Sequence, residues 1–157
     1  MYEFLEETAR QNMASRARTV APEMTVGDLL RLFDSEGADG YPVLDGGVLV
    51  GIVSKADALK AFALVPDNVI PRYDDMMGTT VGEVMSRQVT TVEPSTPLQR
   101  VLHLMVSHHF KILPVISQNN HLEGVITRDD VIAALARLGK HEVMPLTHPP
   151  VGYYAIA

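Results

Sequence analysis

The chain has no cysteine. That removes disulfides, thiolate metal sites and a cysteine nucleophile together, and it fits a reducing compartment. Apolar runs are short: none approaches the ~18 residues needed to span a bilayer. Residues 1–20 carry Glu3, Glu6 and Glu7 and no continuous apolar stretch, so they do not read as a secretory signal, and a cytoplasmic protein is expected. Positive charge is scarce, with 13 basic against 19 acidic residues and a net charge of −6. A chain so balanced is not expected to bind nucleic acid by neutralising phosphates, nor to bind an anionic membrane surface. Catalytic signatures are missing too. There is no G-x-S-x-G, no H-E-x-x-H and no phosphate loop, and Gly46-Gly47 falls in a hairpin turn rather than before a helix. An enzyme is therefore not expected.

What is present is an internal repeat. Tyr41-Pro-Val-Leu44 matches Leu113-Pro-Val-Ile116, Gly51-Ile-Val-Ser54 matches Gly124-Val-Ile-Thr127, and Asp57 matches Asp130. Upstream, Thr19-Val-Ala-Pro22 parallels Thr91-Val-Glu-Pro94, and Leu29, Leu30 and Phe33 parallel Val101, Leu102 and Met105. A single copy of roughly sixty residues buries too little surface to be very stable alone; two packed together solve that.

Each copy reads strand–helix–strand–strand–helix. In the first, Thr25-Val-Gly-Asp28 opens a helix with Leu29, Leu30 and Phe33 on one face, ended by Gly37 and Gly40. Pro42–Leu44 and Val48–Val53 form a hairpin around Asp45-Gly-Gly47, and Ser54-Lys-Ala-Asp57 is a capping box for the next helix. In the second, Thr96 is expected to cap a helix with Pro97 in its first turn; the hairpin turns at Ser117–Asn120, and Thr127-Arg-Asp-Asp130 caps a last helix ended by Gly139. Helical crossovers from the first strands, near Val20 and Val92, give mixed three-stranded sheets with helices on one face. The expected organisation is an amphipathic N-terminal helix in 1–14, a first repeat in 15–65, a linker in 66–80, a second repeat in 81–139 and a tail in 140–157.

Val81-Gly-Glu-Val-Met85, Leu113-Pro-Val-Ile116 and Gly124-Val-Ile-Thr-Arg-Asp-Asp130, with the weaker forms Tyr41–Leu44 and Gly51–Asp57, resemble the CBS domain, named for cystathionine β-synthase. The likeness covers roughly residues 13–137, and in this reading the first copy lacks a full Val-Gly-x-Val-Met block. The resemblance implies an α+β fold of two pseudo-symmetric βαββα repeats packed together. Clefts between them would bind adenosine ligands such as AMP, ATP, NAD or S-adenosylmethionine. It further implies that Asp57 and Asp130 hold ribose hydroxyls while Ser54 and Thr127 meet phosphate. Carboxylates suit the first task, and hydroxyls at a helix start beside unpaired N–H groups suit the second. Lys55, Arg128 and Lys111 could add charge at a phosphate, the last with His109. Val20, Tyr41 and Pro42 are candidate adenine walls in one cleft, and Val92, Leu113 and Pro114 in the other. The second copy, with Thr127, Arg128 and Asp129, is the favoured site. The same capping boxes would also form without any ligand.

Adjacent His108-His109, and His103 five residues before His108, lack the spacing of a helical metal pair, so no metal site is expected among the six histidines. With no catalytic domain in the chain, the resemblance implies a regulatory output delivered in trans to an unidentified protein, by a module expected to be a homodimer. A structural dimerisation module with empty clefts is the second reading; there the N-terminal helix and Tyr153-Tyr154 would be the working surfaces.

Overall fold

The computed structural model describes residues 2–63 and 72–139. Its elements run α1 (Tyr2–Glu6), α2 (Ala9–Asn12), α3 (Val26–Glu36), β1 (Gly40–Asp45), β2 (Val48–Ser54), α4 (Lys55–Leu59), α5 (Tyr73–Gly78), α6 (Val81–Val84), α7 (Leu98–His108), β3 (Ile112–Ile116), β4 (Leu122–Thr127) and α8 (Arg128–Gly139). One 3₁₀ turn, Lys60–Phe62, prolongs α4. The Tyr153-Tyr154 tail and Pro66 lie outside the described residues.

Each repeat is built on a hairpin, β1 with β2 and β3 with β4. Gly46 and Gly47 turn the first with φ of 56° and 83°, values that favour glycine and suit a two-residue turn. The first strand of each sheet is reduced to a single parallel bridge, Val20 with Val43 and Val92 with Val115. Thr25 caps α3 as expected, its hydroxyl accepting from Asp28 N–H, and Gly37 ends it in the left-handed region. The second copy differs. Helix α7 begins after Pro97, and Thr96 Oγ1 instead accepts from Glu93 N–H, closing the turn before it.

The segment 2–12 is two short helices rather than one. Thr8 breaks it, because its backbone N–H and hydroxyl both turn to the Gln11 side chain, starting a new cap. Thr80 does the same with Glu83 at the start of α6. Ala9–Met13 thus stands in the first copy where Val81–Met85 stands in the second. Tyr73–Gly78, within the stretch read as linker, is likewise the counterpart of α1.

These lead segments are exchanged. The lead of the first repeat packs on the second: Ala9 N–H donates to Thr96 C=O, Leu98 N–H to Glu7 C=O, and Ala14 pairs antiparallel with Val125 on the β4 edge. Reciprocally, Val81 N–H donates to Met24 C=O, Val26 N–H to Thr79 C=O, and Ser86 pairs with Ile52 on β2. The two cores reflect this. Phe4 and Ala9 are buried with Leu98, Val101, Met105, Leu113 and Ile126, whereas Val81 and Met85 are buried with Leu29, Phe33, Tyr41 and Val53.

Candidate functional site

Where the hairpins begin, the two repeats meet. Asp39 precedes β1 and Lys111 precedes β3; they are equivalent positions, and their side chains approach to 3.9 Å across the pseudo-twofold. Beside them lies a cavity of ≈ 340 Å³, within the usual range for small-molecule sites. One wall is the end of β2 and the start of α4: Ile52, Ser54, Lys55, Ala56 and Asp57. The opposite wall comes from the second repeat, Ser86 and Gln88–Thr90 in the segment between α6 and α7, then His109–Leu113.

The first wall is closed by a capping box. Asp57 Oδ2 accepts from Ser54 N–H and Ser54 Oγ, both at 2.9 Å, and Asp57 N–H donates back to Ser54 Oγ at 3.1 Å. Lys60 Nζ donates to Oδ1. Among the described residues, Asp57 is the one charged side chain that is buried, 6% exposed. Burial alone would raise its pKa, but the Lys60 ammonium and the two Ser54 donors outweigh that and hold it below the ordinary carboxylate value. The aspartate is therefore an anion at neutral pH, it lines the cavity, and Oδ1, with Lys60 as its one recorded donor, has a lone pair to spare. The second wall has one unusual residue: His109 ends α7 at φ 57°, where the first repeat has Gly37.

Thr127 and Asp130 form the equivalent box, with Asp130 Oδ2 accepting from Thr127 N–H at 2.7 Å and from its hydroxyl at 2.8 Å. They do not line this cavity. Arg128 is turned to the backbone, donating from N–H to Lys111 C=O and from Nε to Phe110 C=O. So the structure brings Ser54, Lys55 and Asp57 together with Lys111 and Leu113, and sets Thr127, Arg128 and Asp130 elsewhere.

The other expected wall residues are core. Val20, Pro42, Val92 and Pro114 are buried and outside this cavity's lining. Tyr41 stacks on Phe33 at 5.1 Å and donates its hydroxyl to the Glu36 carboxylate; burial and that neighbour push its pKa up to about 12. Sequence reasoning missed Asp39, Ile52, Ser86 and Gln88–Thr90. A signal for Ser86 existed in the pairing of Ala14 and Ser86 at the offset that relates Val20 to Val92. Among the described residues, no group of three or more histidine or acidic side chains is placed to hold a metal ion, and no helix is long and apolar enough to cross a membrane.

The CBS domain profile matches residues 10–64 and again 81–137. The chain belongs to the CBS domain family. As a tandem CBS pair it is similar to the CBS domain-containing protein YhcV of Bacillus subtilis, 29% identical over 125 residues that span 79% of this chain and 82% of that one. Among solved structures it resembles CBSX2 of Arabidopsis thaliana in complex with AMP, at TM-score 0.73 and 29% identity, over 84% of this chain and 98% of that one. It also resembles the cytosolic domain of the Mg²⁺ channel MgtE in complex with ATP, at TM-score 0.63 and 29% identity, over 82% of this chain and 49% of that one.

Proposed function

We propose that this CBS pair is a non-catalytic regulatory module that binds an adenine nucleotide in the Ser54–Asp57/Lys111 cleft and acts on a separate protein. The observation that carries the reading is the cleft itself. A buried, ionised carboxylate and its capping serine from one repeat face Lys111 and His109 from the other across ≈ 340 Å³. The AMP and ATP complexes of the two similar proteins support the ligand class. NAD and S-adenosylmethionine share the adenosine moiety and belong to the same test.

In this reading Asp57 Oδ1 accepts a ribose hydroxyl, loosening its contact with the more exposed Lys60. Leu113 and Ile52 form apolar walls for the base, and Lys55 and Lys111 meet phosphate. Because both repeats contribute walls, a bound nucleotide draws on both at once. Its effect on a partner then equals its differential affinity for two arrangements of the pair.

The test is a thermal-shift series with AMP, ADP, ATP, NAD, NADH and S-adenosylmethionine. A ligand at about 100 times its dissociation constant stabilises the fold by ~2.7 kcal/mol. The shift is expected to vanish in Asp57→Ala and to survive in Asp130→Ala. A shift that follows Asp130 instead would move the site to the second repeat. No shift with any of the six would favour a structural module with empty clefts.

A further inference from the structure

The charges around the cleft differ between the two repeats at one decisive position. Lys111 and Asp39 are equivalent residues of opposite sign, and both line the same cavity. We infer that Asp39 is a specificity determinant, selecting a nucleoside monophosphate over a triphosphate; this rests on the nucleotide reading of the cleft above.

The argument is one of charge balance. Asp57 is committed to Lys60 and to the ribose end. At the phosphate end stand two cations, Lys55 and Lys111, beside His109. A terminal monophosphate carries about −1.5 to −2 at neutral pH, a match for two lysines. Each additional phosphoryl group adds at least one further negative charge with no additional cation in the lining to receive it, and the side chain it meets is the Asp39 carboxylate. The backbone that carries it is anchored to the first wall. Asp39 C=O accepts from Lys55 N–H at 3.3 Å, and its side chain already engages Lys111 at 3.9 Å, drawing away part of the charge that a polyphosphate needs. Asp39 and Lys111 are half exposed, 45% and 59% at the side chain, so the repulsion is screened and its effect is moderate.

The experiment is calorimetric titration of the full chain with AMP and with ATP, without divalent cations, in low salt. It compares wild type with Asp39→Asn, which removes the charge at nearly constant volume. Wild type is expected to bind AMP more tightly than ATP. Asp39→Asn is expected to tighten ATP by about five- to tenfold and AMP by no more than about twofold. Raising salt narrows the wild-type preference and leaves the variant's ratio less affected. Equal or tighter ATP binding by wild type, or an AMP/ATP ratio unchanged in Asp39→Asn, overturns the inference while leaving nucleotide binding intact. Absence of binding by both nucleotides overturns it together with the reading it rests on. Asp39→Ser, with a thermal melt of each variant, separates a charge effect from a folding defect.

Discussion

Asp57 sits where helix capping and the proposed ligand contact converge, since one carboxylate closes the α4 cap through Oδ2, accepts from Lys60 through Oδ1 and lines the cleft. Its pKa is depressed in the folded state by Lys60 and Ser54 against the pull of burial. The sign follows. Stabilisation from the ionised form is fully present above the unfolded value near 3.8 and is lost as pH falls through the lower folded value. Asp57→Asn is therefore expected to be less stable than wild type at pH 7 by about 1 kcal/mol, the worth of a typical cap. The gap should close in acid; urea denaturation at pH 7 and pH 3 checks both parts. A gap constant across that range would mean the charge contributes nothing. At this scale the sequence was readable wherever the chemistry is local. Ser54-x-x-Asp57 and Thr127-x-x-Asp130 are caps by spacing alone. Which wall each cap faces is a tertiary fact, so nothing in the local pattern told Lys111 to stand opposite Asp57 rather than beside Asp130. Thr127, Arg128 and Asp129 favour the second copy by residue type alone; the contact that Arg128 Nε makes with the Phe110 carbonyl is a tertiary fact that residue type does not announce.

The elements that least resemble the expectation are the lead segments. Apolar spacing in 2–12 suggested one helix, and the capping signal of Thr8 with Gln11 was overlooked beneath it. Ala9 and Arg10 in place of Val81 and Gly82 hid the kinship of the two leads, although Thr8/Thr80 and Met13/Met85 survive in register. Their docking depends on two glycines that admit close backbone. A Cβ on Gly124 would lie 2.6 Å from Ala14 O and 2.9 Å from Met13 Sδ; one on Gly51 would lie 2.9 Å from Ser86 O and 2.6 Å from Met85 Sδ. Gly124→Ala is expected to push the first lead off the β4 edge at a cost of about 1–3 kcal/mol, as overpacking does. Gly78→Ala, with nothing within 4 Å of its added carbon, is expected to leave stability nearly unchanged. Equal melting temperatures for the two variants would contradict this account of the docking. The hairpins, by contrast, follow from their turn residues and alternating apolar positions, which act within each segment.

For the molecule as a whole, the repeat was plain in the sequence because the Pro-Val strands and the Gly-to-Asp blocks recur in the same order. Its consequence for assembly was not, because exposure depends on packing. Leu59 and Ile132 occupy equivalent places on α4 and α8 and remain 62% and 61% exposed; Val106 at 66% and Leu135 at 41% flank Ile132. Apolar residues so exposed at matching places suit the expected homodimer. Sedimentation at micromolar concentration is expected to give a dimer, and Ile132→Asp to weaken it by at least about tenfold without lowering nucleotide affinity for the cleft. A wild-type monomer would remove the homodimer from the proposal. The exchanged leads bear on a different kind of association. A repeat made alone would have its own lead turned outward, and only another molecule could receive it. Joined in one chain, each lead finds its receptor at an effective concentration on the order of millimolar, set by the connecting length and not by how much protein the solution holds. Re-docking of a detached lead is thus a first-order event, and a dilute solution keeps both halves clasped as well as a concentrated one.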